Sequence, residues 1–157
     1  MAQTAQIELE YLMTLHADLD PPHIIDTGSR IVNIKGGWAD GPKIKAKAIA
    51  PGADWLQILP SGVTRIDVRP TMVTDDEQLI FVSYNGVIAH SEQSAAKMAS
   101  GTPISHVDAA CFVVAPTFRT GEEEYAWLDR VQAAGKMVQL SFDPVNRFIK
   151  YDFFIVR

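Results

Sequence analysis

The chain has 157 residues, a mass of 17.3 kDa and a net charge of −5 at pH 7. Apolar residues make up 47% and charged residues 21%, which is typical of a folded globular domain and excludes a disordered chain. No half of the chain is basic, so we expect no nucleic-acid partner, because phosphate binding needs a clustered positive surface. One cysteine, Cys111, excludes an internal disulfide and a cysteine-rich zinc module. We therefore expect one domain over residues 1–157.

The sequence also argues against membrane insertion and secretion. No apolar run approaches the roughly 18 residues that a membrane-spanning helix needs. Residues 1–6 have neither the basic start nor the apolar stretch of a secretory signal. We therefore expect a cytoplasmic protein with no membrane partner.

The first predicted element is a long strand at residues 7–19. Every odd position in this range is apolar, whereas the even positions are mostly charged or polar, with Leu12 as the exception. Alternation with a period of two places the apolar side chains on one face of a strand, and a helix would mix the two classes. Pro21 and Pro22 end the strand because neither can donate a backbone hydrogen bond.

Further apolar or alternating segments predict additional strands, separated by glycine and proline. Pro51 and Gly52 interrupt the chain between two of them, and Asn85–Gly86 is a sequence that favours a tight hairpin turn. The predicted strands are residues 29–35, 43–48, 55–59, 63–74, 79–84, 87–90, 107–115, 137–142 and 147–156.

The remaining elements and the strand count indicate the fold. Residues 91–99 predict one short helix with a serine cap, and residues 122–128 predict a further helical turn. The result is an all-β chain of about nine or ten strands, and its short loops favour an antiparallel sheet. Long strands near both termini favour a closed or nearly closed β-barrel, because pairing them removes both sheet edges. A β-sandwich is the alternative.

Residues 36–43 have the glycine spacing of a phosphate-binding loop. Pro42 stands where such a loop needs its lysine, and proline lacks the backbone N–H that would face a phosphate. We therefore interpret the segment as a glycine-rich bend between barrel strands.

Four side chains near the end of the first strand have the chemistry of metal ligands. His16, Asp18 and Asp20 share one strand face, and His23 follows shortly after them. That face is opposite the apolar one, so we interpret these residues as a solvated outer surface. We expect no metal and no cofactor.

The strand at residues 63–74 carries the charged residues that are most informative about function. Asp67 and Arg69 share one face with Arg65, and a carboxylate and a guanidinium buried together would have to pair. They would form either a polar anchor in a ligand cavity or a structural ion pair, and both faces of this strand are mixed, so its orientation is open. Asp54, at the start of another predicted strand, is the second candidate carboxylate.

The three tryptophans, Trp38, Trp55 and Trp127, all lie beside turn or helix signals rather than in the middle of strands. Large aromatic side chains at such positions can wall the mouth of a pocket. They can equally form an apolar plug that closes a barrel end. The sequence leaves both interpretations open.

A set of short motifs occurs in order along almost the whole chain. The set consists of Arg30, Gly36-Gly37, Gly41-Pro42, Pro51-Gly52-Ala53-Asp54-Trp55, Asp67-x-Arg69, Tyr84-x-Gly86, Phe118 and Tyr125-x-Trp127-Leu128. It resembles the domain of unknown function 3237 family. The resemblance implies an antiparallel β-barrel and no settled activity. Some members are similar in setting to enzymes of secondary metabolism, which implies small organic ligands.

Our leading hypothesis is a barrel that binds a small, partly apolar organic molecule inside or at its mouth. Arg30 and Arg69 are expected to anchor a polar or anionic ligand group. Asp54 and Asp67 are the candidate catalytic residues, which would move a proton in a cofactor-free isomerisation, cyclisation or addition. The apolar walls are expected from Trp38, Trp55, Phe118 and Trp127.

The alternative hypothesis is a non-catalytic structural or protein-interaction barrel. Narrow barrels are usually filled by their own side chains, and a cavity smaller than about 300 Å³ would favour this alternative. Either protein is compatible with a homo-oligomer. The sequence names neither the ligand nor a reaction.

Overall fold

The computed structural model describes residues 1–121 and 123–157, and these form eleven strands and two short helices. The strands are β1 (Leu9–Leu19), β2 (His23–Ile24), β3 (Ser29–Asp40), β4 (Lys45–Ile58), β5 (Thr64–Thr74), β6 (Leu79–Ala89), β7 (Ile104–Ser105), β8 (Cys111–Val114), β9 (Thr117–Arg119), β10 (Ala133–Asp143) and β11 (Asn146–Val156). The helices are α1 (Glu92–Ser100) and a 3₁₀ helix (Glu123–Arg130).

Eight of these strands close into an antiparallel barrel. Their order is β1, β11, β10, β8, β6, β5, β4 and β3, and pairing of β3 with β1 completes the ring. The short strands β2, β7 and β9 pair outside this ring with β3, β10 and β6. The predicted antiparallel barrel is confirmed, with eight strands in the ring and three additional ones.

The strand β1 buries one face in the barrel and pairs with a strand on each side, which closes the ring. Met13, Leu15, Ala17 and Leu19 are buried on its inner face, as the period of two predicts. On one side β1 pairs with the last strand, where Leu9 is opposite Val156 in the register. Pairing of the first and last strands is therefore confirmed, and it leaves neither with a free edge.

The predicted hairpin turn at Asn85–Gly86 is wrong. Both residues lie inside β6, where they pair with Asp67 and Ile66 of β5. A Cβ atom at Gly86 would lie 2.5 Å from Val114 Cγ1 and 2.7 Å from the carbonyl oxygen of Val113. Glycine is needed here because β8 packs closely against β6, and not because the chain turns.

The predicted break at Pro51–Gly52 is an irregularity within a continuous strand. β4 runs through both residues, and its register with β5 shifts between Ile49 and Ala53. Such irregularities bend a strand locally and redirect its side chains. Asp54 follows directly after this irregularity and faces the barrel interior.

The glycine-rich segment after residue 35 lies within β3 rather than between two strands. The register with β4 shifts between Asn33 and Trp38, which bends the strand as predicted. Gly37 has a φ of 138°, and a Cβ atom there would lie 2.0 Å from the carbonyl oxygen of His16. Only glycine allows β1 and β3 to approach so closely at this point.

Both segments that the sequence predicts to be helical form helices in the structure. α1 begins after Ser91, whose side chain accepts a hydrogen bond from the backbone N–H of Ser94, and it ends at Gly101 in the left-handed region. The 3₁₀ helix covers the helical turn predicted at residues 122–128, of which Glu122 lies outside the described residues. In the described part of the chain, no helix has the length and apolar character that crossing a membrane requires.

The buried strand predicted at residues 107–115 is shorter than expected. Only Cys111–Val114 form β8, and Val107 is 73% exposed in the preceding connection. Asp108 occupies a buried position there instead, where its carboxylate accepts hydrogen bonds from the backbone N–H of Ser105 and from Lys97. A polar network therefore holds this segment where the sequence pattern indicated a strand.

One end of the barrel is closed by the 3₁₀ helix, and we call it the filled end. It carries the β3–β4 and β5–β6 connections, and the Tyr125 hydroxyl donates to Asp76 Oδ1 of the latter at 3.0 Å. Five core side chains near this end have no exposed surface: Met13, Met72, Ile80, Phe153 and Leu128. The opposite end, which carries α1 and the β4–β5 and β10–β11 connections, is here called the hollow end.

Candidate functional site

The hollow end contains a cavity of about 360 Å³. This volume is within the range of about 300–1,000 Å³ that small-molecule sites occupy. Most of its wall consists of leucine, isoleucine, valine, methionine and phenylalanine side chains. The ionisable and hydroxyl-bearing side chains in the wall are Arg30, Asp54, Thr64, Tyr84, His90 and Tyr151.

The floor of the cavity is a row of four side chains on four neighbouring strands. Val32 is opposite Asp54, Asp54 is opposite Val68, and Val68 is opposite Tyr84 in the registers of β3 to β6. We call this the floor row. Inward-facing residues recur every second position, so the next layer toward the mouth is roughly 7 Å away.

Asp54 is the carboxyl group of the floor row. Its Oδ1 accepts a hydrogen bond of 3.2 Å from the backbone N–H of Asp67. Burial in the apolar wall is the main cause that raises the pKa of Asp54 from 3.8 to about 7; the hydrogen bond opposes this shift, and the charge of Asp67 adds to it. Near neutral pH this carboxyl group can therefore both take up and release a proton.

Tyr84 carries a hydroxyl group with an unused hydrogen bond. The side chain is 1% exposed, and its hydroxyl oxygen has no hydrogen-bond partner among the described residues. Its ring packs edge-to-face on Tyr151, with 5.5 Å between the centroids. Burial, and then nearby negative charge that includes Asp54, raise the pKa of both tyrosines well above 10. Both phenols therefore stay protonated and can donate hydrogen bonds.

Arg30 is the cationic group of the cavity wall. It lies two residues from Val32 toward the mouth and is opposite Leu56 in the register. Its Nη1 donates to the carbonyl oxygen of Thr27 at 3.5 Å. Within residues 1–121 and 123–157, no carboxylate lies within 4.0 Å of its guanidinium. Arg30 is therefore available to pair with an anion in the cavity.

The mouth is bordered by the segment that follows β6. His90 comes directly after this strand, and its Nδ1 lies 3.1 Å from the Ser94 hydroxyl in α1. Met98 of the same helix also lines the cavity. The helix predicted from its serine cap thus forms one side of the cavity.

Two predicted site residues, Arg30 and Asp54, do line the cavity, whereas Trp55, Asp67 and Arg69 lie together on the outside of the barrel. Arg69 Nη2 is 3.1 Å from Asp67 Oδ2, and its guanidinium carbon lies 4.6 Å from the centre of the Trp55 ring. The expectation that these three side chains contact the ligand needs correction. Ile66 and Val68 occupy the inner face of β5, so Asp67 and Arg69 point outward. Trp55 points outward for the same reason, because Asp54 and Leu56 line the cavity from β4.

The other predicted aromatic walls also lie away from the cavity. Trp38 is 41% exposed on the outer surface, where its ring stacks on His16 with 5.4 Å between the centroids. Phe118 is buried against Phe153, and the Trp127 ring lies on the filled end, 5.6 Å from Lys43 Nζ. These residues pack the barrel or cover it, and the expectation that they wall the pocket needs correction.

His16 and Asp18 of β1 form a pair. His16 Nε2 lies 3.1 Å from Asp18 Oδ1, and the ring is held between Trp38 and Phe148. The described residues contain no group of three or more histidine, cysteine, aspartate or glutamate side chains placed to hold a metal ion.

Sequence reasoning missed Tyr84, Tyr151 and His90. A signal for Tyr84 exists, because Ile80, Val82 and Tyr84 alternate along β6 with polar or exposed neighbours. The same alternation places Tyr151 on the inner face of β11. A tyrosine on an otherwise apolar inner face indicates a buried hydroxyl that needs a partner.

Comparisons with known proteins relate this barrel to others. The model of the family described as "Protein of unknown function (DUF3237)" matches residues 7–156. A UPF0311 protein of Rhodopseudomonas palustris (strain TIE-1) is 30% identical over 129 residues, which are 80% of this chain and 84% of that protein. The crystal structure of a β-barrel-like protein of Acinetobacter baumannii AYE matches with a TM-score of 0.80 and 27% identity, over 100% of both chains. An enzyme from Penicillium herquei has a similar fold, with a TM-score of 0.71 and 20% identity over 100% of this chain and 99% of that chain.

Proposed function

Because the chain belongs to the DUF3237 family of proteins of unknown function, whose description assigns no reaction, we propose a function from the cavity itself. The protein binds a small, partly apolar organic molecule in the hollow end of its barrel and transfers a proton through Asp54. The observation that carries this proposal is a carboxyl group with a pKa of about 7 in the wall of an apolar cavity.

The shape and lining of the cavity support binding of an organic molecule. Its volume of about 360 Å³ exceeds the roughly 300 Å³ at the lower limit for ligand sites. The apolar wall favours a hydrophobic ligand body, and the few polar groups would fix its orientation. A barrel with a purely structural role is expected to be filled by its own side chains throughout, as this barrel is only at its filled end.

The floor row provides the parts of a proton-transfer reaction. The Asp54 carboxylate would remove a proton from a carbon next to a ligand carbonyl, while the Tyr84 hydroxyl donates a hydrogen bond to the carbonyl oxygen as it gains negative charge. The protonated Asp54, whose proton exchanges with solvent, would then deliver a proton to another carbon. The net change is an isomerisation; a cyclisation or an intramolecular addition would use the same proton donor and acceptor.

Asp67 contributes to this site through its backbone and not through its carboxylate. Its N–H donates to Asp54 Oδ1, which fixes the orientation of that carboxyl group. Its own carboxylate pairs with Arg69 outside the barrel. We therefore assign the catalytic role to Asp54. The fold similarity to an enzyme from Penicillium herquei is compatible with catalysis in such a barrel.

The proposal is tested with small molecules extracted from the source organism. The extract is incubated in deuterium oxide with the protein, and mass spectrometry then identifies compounds that acquire deuterium or change their retention time. We expect such a compound with the native protein and with Asp67→Asn, and none with Asp54→Asn. Equal conversion by Asp54→Asn would contradict the proton-transfer role.

A binding measurement separates the two parts of the proposal. Native mass spectrometry of the same incubations reports whether a small molecule is bound by the folded protein. A bound molecule without any conversion would limit the function to binding. The absence of both would favour the alternative of a non-catalytic structural or protein-interaction barrel.

A further inference from the structure

We propose that the natural ligand is an amphipathic anion with polar groups at two levels of the cavity. Its anionic group, such as a carboxylate, pairs with Arg30 near the mouth. A neutral hydrogen-bond acceptor, such as a ketone oxygen, receives the Tyr84 hydroxyl at the floor, and an apolar body joins the two. This inference rests on the proposed function, because it assigns the ligand class of the same cavity.

The anionic end of the ligand follows from the surroundings of Arg30. Its guanidinium lines a largely apolar cavity and has no carboxylate partner within 4.0 Å in the described part of the chain. An arginine offers several N–H donors in a planar fork that fits a carboxylate, a sulfonate or a phosphate. The hydrogen bond to Thr27 uses only one of these donors and is long, at 3.5 Å.

The neutral acceptor follows from the unpaired hydroxyl of Tyr84. A buried hydroxyl without a partner is unfavourable, so an acceptor that enters the cavity relieves this penalty. Asp54 is in the same floor row, and its carboxylate would repel a second negative charge. The floor therefore favours a neutral oxygen, whereas the anion is accepted one layer higher at Arg30.

The register of the strands gives the spacing of the two ligand groups. Arg30 and Val32 face the cavity from successive inward positions of β3, and Val32 belongs to the floor row. Two residues of a strand span roughly 7 Å along its axis. The ligand therefore carries its anion and its acceptor at two levels of the cavity, whose backbone positions are about this far apart.

The anionic end is tested with two naphthalene dyes that differ by one charged group. N-phenylnaphthylamine is neutral, and anilinonaphthalene sulfonate carries the same ring system with a sulfonate. Both dyes fluoresce strongly when they enter an apolar site, so titration gives the affinity of each. Displacement of the sulfonate dye by the neutral dye shows that both occupy one site, and loss of binding in Ile66→Trp, which fills the cavity, identifies that site as the cavity.

The informative variant for this end is Arg30→Gln, and its matched control is Arg65→Gln. Arg65 is exposed on the outer face of β5, so its replacement removes the same charge from outside the cavity. We expect Arg30→Gln to lower the affinity for the sulfonate dye about tenfold, because a charge-assisted hydrogen bond is lost. The affinity of Arg30→Gln for the neutral dye should change by less than about twofold. Arg65→Gln should change the affinity for either dye by no more than that.

The possible outcomes separate the inference from the proposed function. If the native protein binds neither dye, the apolar binding site fails, and the inference fails with it. If it binds both dyes but Arg30→Gln weakens them equally or not at all, the assignment of an anionic ligand is overturned while the binding site remains. Thermal unfolding of each variant verifies that the compared proteins are folded.

The acceptor end is tested with prodan, a neutral naphthalene dye that carries a ketone. Its emission shifts to longer wavelength when the ketone oxygen receives a hydrogen bond. We expect the dye bound to Tyr84→Phe to emit at shorter wavelength than the dye bound to the native protein. Tyr125→Phe removes a hydroxyl at the filled end and should leave the emission unchanged. Identical emission from Tyr84→Phe and the native protein would overturn the assignment of the acceptor.

Discussion

The two ends of the barrel are formed by the same strands, yet they bury different kinds of side chain. At the filled end, Met72, Ile80 and Phe153 have no exposed surface, and Leu128 of the 3₁₀ helix is buried with them. At the hollow end, the inner positions of β3 to β6 surround a cavity of about 360 Å³ and include Arg30 and Asp54. One end therefore stabilises the fold, and the other provides space and ionisable groups.

This difference begins with the elements that cover each end. The 3₁₀ helix places Leu128 in the core, and the side chain of Asp129 accepts a hydrogen bond from the backbone N–H of Thr120 at 2.9 Å. α1 at the other end buries Ser94 and lines the cavity with Met98. The hollow end keeps its cavity because α1 lies beside the mouth, whereas the 3₁₀ helix inserts Leu128 into the core of the filled end.

The largest expected effect compares one isoleucine from each end. Ile80 at the filled end is 0% exposed, and Ile66 in the cavity wall is 3% exposed. Ile80→Ala leaves a new void in a close-packed region and should lower the free energy of unfolding by about 3–4 kcal/mol. Ile66→Ala enlarges an existing cavity and should lower it by about half as much. Urea unfolding of the two variants measures both values.

The two isoleucine variants can also contradict the proposed difference in packing between the two barrel ends. Both substitutions remove the same atoms from side chains of nearly equal burial, so the transfer of those atoms from the core contributes equally. The difference between the two variants therefore reports the packing around each site. Equal losses of stability would show that the cavity is closed in solution.

The second effect concerns the pH dependence of stability. The pKa of Asp54 is about 7 in the folded protein and near 3.8 in the unfolded chain, so the folded state binds an additional proton between these values. The free energy of unfolding therefore falls as the pH rises from about 4 to about 7 and levels off above that, by an amount on the order of 2–4 kcal/mol. Asp54→Asn removes this dependence, because its amide does not titrate.

The measurement is urea unfolding of the native protein and of Asp54→Asn between about pH 5 and about pH 9. We expect the variant to gain stability relative to the native protein as the pH rises through this range. Asp67→Asn is the control, since it changes a carboxylate on the outer face of the next strand. It should keep the pH dependence that Asp54 causes and reduce it only slightly, because burial outweighs the charge of Asp67 in raising the pKa of Asp54. A parallel pH dependence of the native protein and Asp54→Asn would show that Asp54 is charged and hydrated in the cavity.

The periodicity of the chain predicted the barrel because burial in strands depends on local alternation. From Met13 to Leu19, β1 alternates with the inner face that the sequence indicates. Leu9 and Tyr11 are exposed instead, because the register with β11 shifts between Tyr11 and Met13. Asn85–Gly86 misled the same analysis, because a glycine required by a neighbouring strand looks like a glycine required by a turn. A contact between β6 and β8 is not visible in the local sequence of either strand.

The site was only partly predictable, because the local sequence does not show which face of a strand points into the barrel. The sequence placed Asp67 and Arg69 on one face of a strand, and the structure adds Trp55 from the paired strand β4 to this face. Which face of these strands points inward depends on Ile66 and Val68 meeting the rest of the core, and alternation alone does not decide this. Arg30 was selected from the family resemblance and Asp54 from its place at a strand start, and the register shows that their positions in the cavity are one layer apart.

A smaller effect tests how tightly the wall of the hollow end is constrained. Gly86→Ala would place a methyl group 2.5 Å from Val114 Cγ1 and 3.2 Å from Ile66 Cγ1. Because backbone and side chains must shift, we expect the free energy of unfolding to fall by about 1–3 kcal/mol. Gly121→Ala is the control, since a methyl group there meets no atom within 4 Å, and it should change stability by less than about 0.5 kcal/mol. Equal effects of the two substitutions would contradict the close approach of β6 and β8.

The smallest expected effect separates the outer surface from the cavity. Arg69 lies over the Trp55 ring and pairs with Asp67, with its guanidinium in contact with solvent. An exposed ion pair is screened by water and salt, so Arg69→Gln should shift the unfolding transition only slightly. The variant should also bind both naphthalene dyes within about twofold of the native affinity, because the wall formed by Ile66 and Val68 separates Arg69 from the ligand. Titration of Arg69→Gln beside Arg30→Gln measures this contrast in one experiment. A tenfold loss of affinity for the sulfonate dye with Arg69→Gln would mean that the charged face of β5 contacts the ligand. The assignment of the inner and outer faces of β5 would then be wrong, and the comparison of the two barrel ends depends on that assignment.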